Sequence, residues 1–206
     1  QRDFLRTQLH DFGKFAASYF TKILDDPMRG TEGRRYLENR QLNKTTLKRF
    51  AVGAVPDGWS NLLDAAKEKG IQDNVLDASG LFKQSDSGRR YDFFRNRVIF
   101  PVSDLTGNII AFGGRDLGDS PAKYINSPET PVYKKSRVLY GLNEAREALR
   151  KQQCALVVEG YFDLLRCFDV GIENVVATCG TALTPEQASL LRRYVPEAIL
   201  VYDGDE

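Results

Sequence analysis

Ala155-Leu156-Val157-Val158-Glu159-Gly160-Tyr161-Phe162-Asp163 is a short apolar run that stops at a carboxylate, breaks at a glycine and resumes as an amphipathic stretch opening with an aspartate. A buried strand ending in Glu159 and turning into a helix is the reading that fits, and it brings two carboxylates into one small volume. Near the end of the chain, Ala198-Ile199-Leu200-Val201-Tyr202 repeats the pattern and hands over to Asp203-Gly204-Asp205. Working outward, apolar runs alternate with helical spacing from Val138 onward: 138–140, 155–158, 174–177 and 198–202 as strands, with helices over 143–150, 162–168 and 185–194. Thr184-Pro185 with Gln187 is a helix-start signature. Such alternation predicts a parallel sheet covered on both faces, with ligands at the carboxyl ends of its strands.

The upstream part has another texture. Phe4, Leu5, Leu9, Phe12, Phe15, Ala16, Tyr19, Phe20, Ile23 and Leu24 recur at helical spacing before Pro27. Shorter helices are expected over 31–39, from an Asn43 cap through Phe50, over 61–69 with Gly70 as the stop, and over 75–78. Arg97 to Val102 and Ile109 to Phe112, joined by Asp104-Leu105-Thr106-Gly107-Asn108, predict a β-hairpin. An irregular loop follows, around the extended piece Lys123-Tyr124-Ile125. The expected organisation is an α+β part over 1–136, helices plus a small antiparallel sheet, and an α/β part over 137–206. The final acidic cluster stands where a strand should enter another helix, so a truncated α/β domain is expected.

The totals bound the chemistry. The chain has 206 residues, with 29 Lys+Arg against 28 Asp+Glu, so any polyanion-binding surface has to be local. No apolar stretch reaches membrane-spanning length and the amino end lacks a signal-peptide pattern, which predicts a soluble cytoplasmic protein. Cys154, Cys167 and Cys179 stand singly among apolar residues and read as buried free thiols. The one histidine, His10, lies within a helical pattern, so thiolate or imidazole zinc sites and histidine-dependent triads are disfavoured by inventory.

Two constellations remain. Glu159, Asp163, Asp203 and Asp205 are oxygen donors at predicted strand ends, suited to hard divalent cations and the phosphates those cations carry; as turn and cap residues they would serve structure alone. With no histidine at hand, Glu159 is also the natural candidate for proton transfer. The second constellation is basic. Between Arg89 and Arg137 there are nine Lys/Arg against five Asp/Glu. Arg95 and Arg97, two apart, are expected to face one way on a strand, with Arg115 brought beside them by the hairpin and Lys123, Lys134, Lys135 and Arg137 around the loop. They would hold phosphates, with Tyr124 and Phe112 as stacking surfaces, or else stand as solvated charges balanced by Asp92, Asp104 and Asp116.

Val158-Glu159-Gly160-Tyr161-Phe162-Asp163 with Asp203-Gly204-Asp205 resembles the TOPRIM signature of bacterial primases, topoisomerases and some nucleases. Arg95-Asn96-Arg97-Val98-Ile99-Phe100-Pro101, Ala111-Phe112-Gly113-Gly114-Arg115, Lys123-Tyr124-Ile125-Asn126-Ser127-Pro128-Glu129-Thr130 and Leu139-Tyr140-Gly141-Leu142 resemble the bacterial DnaG-type primase core, as do Arg34-Arg35-Tyr36-Leu37 and Gly58-Trp59. The resemblance implies a DNA-directed RNA polymerase of primase type, a nucleotidyltransferase. Such an enzyme makes short RNA primers on single-stranded DNA from ribonucleoside triphosphates, at the bacterial replication fork in the nucleoid. It implies Mg²⁺ or Mn²⁺ at Glu159, Asp163, Asp203 and Asp205, with Glu159 as metal ligand or general acid/base. Template or nucleotide contacts would fall on Arg40, Arg95, Arg97, Arg115, Lys123, Asn126 and Lys135. Zinc is expected only in an amino-terminal module outside this sequence. The replicative helicase and single-strand binding protein would be met through regions outside it too, and a further acidic motif is expected beyond Glu206. The alternatives are another TOPRIM enzyme, a nuclease or topoisomerase fragment, and a non-catalytic single-stranded DNA-binding module. Two positions depart from the family pattern: Gln41 replaces a glycine common after the matched arginine, and Phe93 stands where a basic residue can occur.

Overall fold

A computed structural model describes residues 2–180, 182–202 and 204. The chain forms two compact units, one of Gln1–Gln41, Lys48–Val102 and Asn108–Tyr133, the other of Leu42–Leu47, Ser103–Gly107 and Lys134–Glu206.

In the first unit the long helix α1 (Arg2–Asp25) lays Leu9, Phe12, Ala16 and Phe20 into the core. The helices α2 (Thr31–Asn39), α4 (Asn61–Glu68) and α5 (Asp73–Ala78) belong to it too, with the short strand β1 (Gly53–Val55) before α4, while α3 (Lys44–Arg49) has its first four residues in the second unit and its last two in the first. Gly70, at φ 75, ends α4 in the left-handed turn that the sequence predicts. Two short strands, β2 (Phe82–Gln84) and β3 (Arg90–Asp92), pair with each other. The predicted hairpin is present as β4 (Arg97–Ser103) and β5 (Ile109–Asp116), and it sits inside a larger four-stranded sheet of order β1-β4-β5-β6, where β6 is Tyr124–Asn126. The extended piece placed in an irregular loop is therefore a third antiparallel neighbour, with Arg115 opposite Tyr124 and Gly113 opposite Asn126. α1 packs on β1 closely enough that a Cβ on Gly53 would meet the Phe20 Cβ at 2.6 Å. Phe12, Phe20, Leu62, Leu76, Ile99 and Phe112 fill the core between these elements.

From Lys134 onward the second unit forms a short 3-10 turn, Lys135–Arg137, and continues as α6 (Leu142–Gln152), β7 (Cys154–Val158), α7 (Tyr161–Asp169), β8 (Val175–Ala177), α8 (Pro185–Leu191) and β9 (Glu197–Leu200). The sheet is parallel with order β8-β7-β9, Val157 lying opposite Val176 on one side and Leu200 on the other. The expected fourth strand at 138–140 is reduced to a single antiparallel bridge, Tyr140 to Ala177. Gly141, at φ 78, turns the chain away immediately afterwards, and a side chain there would run into Leu164. β8 is buried along its length, whereas Ile199 and Leu200 of β9 are 48% and 54% exposed. α8 starts as predicted: Thr184 Oγ1 accepts from the Gln187 amide at 3.0 Å, and Gln187 Oε1 accepts from the Thr184 amide at 3.0 Å. Of the three free thiols only Cys179 is fully buried; Cys154 and Cys167 are half-buried, a correction to the expectation. Among the described residues no helix is long and apolar enough to cross a membrane.

Candidate functional site

The carboxylates come first. β7 buries Val157 and Val158 and then releases Glu159 to the surface, because Gly160 adopts an extended conformation that opens α7. Asp163 is exposed on the first turn of α7, and its Oδ2 accepts from the Gly160 amide at 2.9 Å. That bond caps the helix start and leaves the other carboxylate oxygen outside it. The Glu159 carbonyl accepts from the Cys179 amide at 2.8 Å, which ties the loop after β8 to the end of β7. Burial pushes the Cys179 thiol well up, against the hydrogen bond with Tyr161 that favours its ionised form. Asp203 and Asp205 lie outside the described residues, and among the described residues no group of three His, Cys, Asp or Glu could hold a metal ion. Glu159 and Asp163 supply oxygen donors alone, the donor type that suits Mg²⁺ or Mn²⁺.

In the same unit, Lys135 is half-buried on the 3-10 turn. Its carbonyl accepts from Gln187 Nε2 at 3.3 Å, the Val138 carbonyl accepts from the same nitrogen at 2.8 Å, and Thr184 Oγ1 donates to the Ser136 carbonyl at 2.6 Å. The fully buried Gln187 thus fixes the backbone that presents Lys135.

Lys134 and Arg137 lie in the second unit too; Arg40, Arg95, Arg97, Arg115 and Lys123 belong to the first unit, and aromatic rings organise Arg40, Arg95 and Arg115. Tyr36 on α2 accepts at its hydroxyl from Arg40 Nη2 at 2.8 Å and from Arg115 Nε at 2.9 Å. Both guanidiniums also lie against the Tyr36 ring, 5.3 and 5.5 Å from its centre, and Arg115 lies 5.3 Å from the ring of Tyr124. Lys123 is exposed beside them, its carbonyl accepting from Arg115 Nη1 at 3.4 Å. Asn126 is half-buried, one strand away from Gly113. Arg95 lies 3.8 Å over the ring of Trp59, which is 61% exposed and meets Tyr91 edge-on. Tyr36, Trp59 and Tyr91 escaped the sequence reading as site residues. The one readable signal was Tyr36 four residues before Arg40, the spacing at which helical side chains touch.

Two expectations fail. Arg95 and Arg97 do not share a face, since Asn96, at φ 50, breaks the extended chain and β4 begins only at Arg97. Arg97 turns inward to 6% exposure, where it donates to the carbonyls of Gly114, Ala122 and Lys123 and to Ser120 Oγ at 3.1–3.4 Å. It stands 3.7 Å from the buried Asp116, whose Oδ2 accepts from the Gly118 and Ser120 amides. Burial lowers the Arg97 pKa and Asp116 opposes that shift. Arg97 is therefore occupied in holding the 117–123 loop that presents Lys123. Gly114 makes the path possible, as a Cβ there would stand 2.9 Å from Arg97 Cδ. The second failure is Phe112, 3% exposed and edge-on to Phe20 and Phe94, which belongs to the core and offers no stacking face. Tyr124, 44% exposed, does offer one.

Residues 19–146 match the model of the DNA primase catalytic core, N-terminal domain, and residues 153–206 match that of the Toprim domain. A DNA primase of Halalkalibacterium halodurans is 43% identical over 193 residues, 93% of this chain and 32% of the relative. The chain thus spans about a third of the length of the curated relatives it matches. Among solved structures, the RNA polymerase domain of Mycobacterium tuberculosis primase DnaG superposes with a TM-score of 0.91 at 34% identity, covering 98% of this chain and 68% of the other. A DnaG primase catalytic domain bound to single-stranded DNA superposes with a TM-score of 0.89 at 39% identity, covering 98% of this chain and 65% of the other.

Proposed function

The chain belongs to the DnaG-type DNA primase catalytic-core family, and on that premise we propose that it binds single-stranded DNA and serves in DNA-directed synthesis of short RNA primers from ribonucleoside triphosphates. The observation that carries this reading is the aromatic-backed cation set Arg40, Arg115 and Lys123 with Tyr36 and Tyr124, alongside Arg95 on Trp59. Guanidiniums bind phosphate oxygens through paired N–H groups, and exposed aromatic rings stack on bases of any sequence. That combination suits a template strand read without regard to sequence. The similar catalytic domain bound to single-stranded DNA supports it. Lys135 and Asn126 would add phosphate or nucleotide contacts, and Arg97 acts from behind by fixing the Lys123 loop.

In nucleotidyl transfer a 3′-hydroxyl attacks the α-phosphate of the incoming nucleotide and pyrophosphate leaves. Glu159, exposed at the end of β7, would take the hydroxyl proton or hold the divalent cation. Asp163, with Asp203 and Asp205 from the acidic motif, would complete the oxygen donors. When bound, Mg²⁺ or Mn²⁺ lowers the pKa of the attacking hydroxyl and neutralises the leaving oxygens. The partners at the replication fork would be the helicase and single-strand binding protein of the family.

The test is primer synthesis by the intact protein on a single-stranded template with Mg²⁺ and ribonucleotides. Glu159→Gln should reduce synthesis by at least about 100-fold, the lower end of the range for a proton-transfer group. Template binding should stay within about twofold. Unchanged synthesis removes Glu159 from the chemistry, and a non-catalytic binding module would show no synthesis in either protein.

A further inference from the structure

Tyr36 is given no site role by the sequence pattern, yet both groove arginines touch it. Its hydroxyl accepts from Arg40 and from Arg115, and its ring lies against both guanidiniums. A phenolic oxygen has two acceptor lone pairs, so these bonds fill its acceptor capacity. Arg115 places Nε on Tyr36 and Nη1 on the Lys123 carbonyl at 3.4 Å, while Arg40 places Nη2 on Tyr36. On the other side Tyr124 closes over Arg115. Two cations are thus held side by side on one residue, an arrangement that a phosphate oxygen between them would relieve electrostatically.

We propose that Tyr36 is a positioning residue that holds Arg40 and Arg115 as one preformed two-guanidinium seat for a backbone phosphate of single-stranded nucleic acid. The inference rests on the nucleic-acid reading of this surface. Arginine side chains lose much rotamer freedom when they are immobilised on a ligand, and a seat assembled beforehand carries that cost before binding. A merely structural role fits the site poorly. Tyr36 is half-buried and absent from the core, and it is Leu37, its neighbour on α2, that packs inward.

The discriminating variant is Tyr36→Phe, which removes the oxygen and keeps the ring. Binding of a fluorescein-labelled single-stranded oligodeoxynucleotide of mixed sequence is measured by anisotropy on the intact protein. The same measurement is made on Arg40→Ala/Arg115→Ala and on the combination of all three changes. Tyr36→Phe should weaken binding roughly three- to tenfold, the effect of one charge-assisted hydrogen-bond network. The thermal unfolding midpoint should not change. In the Arg40→Ala/Arg115→Ala background the same change should have no further effect, because there is nothing left to position. If the arginine variant weakens binding and Tyr36→Phe does not, the positioning role is overturned while the groove stands. An equal loss in both backgrounds also overturns it, since Tyr36 would then act on the strand directly. If the arginine variant binds like the parent, the groove reading falls and this inference falls with it.

Discussion

Asp92 sets two large effects against each other, and pH can decide between them. It is 1% exposed at the end of β3, and its two oxygens accept from the amides of Leu62 and Leu63 at 2.8 and 3.0 Å. In this way it caps α4, whose own flanking residue Ser60 makes no side-chain cap bond to the backbone. Amide donors stabilise a carboxylate, while burial disfavours one. Burial wins, with Asp64 adding to it and Arg95 opposing it, and the Asp92 pKa rises from 3.8 to about 6. The sign follows from linkage. Between 3.8 and about 6 the folded chain holds a proton that the unfolded chain has released, so the contribution of Asp92 to stability is fully present below 3.8 and is lost as pH rises through about 6. At about 1.4 kcal/mol per pKa unit, the loss is ~3 kcal/mol. Asp92→Asn cannot ionise and keeps nearly the same shape. Its stability relative to the parent, whatever the offset from changing the cap, should therefore move in its favour by ~2 kcal/mol between about pH 4 and about pH 7, the rest of the loss falling below pH 4. Urea unfolding followed by circular dichroism at several pH values measures that difference directly. A difference that stays flat, or moves the other way, would show that the two α4 amides outweigh burial and that Asp92 is an ordinary charged cap.

Other consequences concern backbone and buried charge. Arg97→Ala should destabilise the chain by ~3–5 kcal/mol, because it leaves the buried Asp116 without its cation and removes the guanidinium bonds to Gly114, Ser120, Ala122 and Lys123. Arg97→Lys should recover little, since one ammonium cannot span acceptors that a planar fork reaches. A urea-unfolding loss below about 1 kcal/mol for Arg97→Ala would mean that water replaces the side chain there. Gln41 follows α2 at φ 53, the left-handed region that favours glycine. Gln41→Gly should raise stability by up to ~1 kcal/mol, the strain relieved less the entropy glycine loses on folding. A lowered thermal midpoint would show instead that the glutamine side chain makes contacts worth more than its strained backbone costs.

What was legible in the sequence was whatever repeats over several residues or is enforced by local chemistry. The α1 stripe, the Thr184-Pro185-Gln187 helix start, the Gly70 stop and the strand running into Glu159 all carry their reason in neighbouring residues. Gln41 belongs with them: a glycine expected by resemblance and a left-handed backbone observed are one fact seen from two sides. β1, β2 and β3 were missed because each is only three residues long, too short for alternation to show, and β2 is largely exposed. The basic site divides along the same line. A sequence reports that a cation exists, but not which acceptors the fold will offer it. Arg95 and Arg97 are indistinguishable by type and spacing, yet one lies over an exposed tryptophan and the other gathers carbonyls beneath the sheet. The physical difference resides in partners far along the chain, Ala122 and Lys123 for Arg97, Trp59 for Arg95. One local clue did exist. Gly114 lies inside a strand, where glycine weakens packing and marks a close approach, and the group approaching is the Arg97 side chain. A glycine within the strand beside a run of arginines is thus a sign that one of those arginines is turned inward. Counting the cations of such a hairpin as phosphate ligands overstates its site by the one that holds the hairpin's own loop in place.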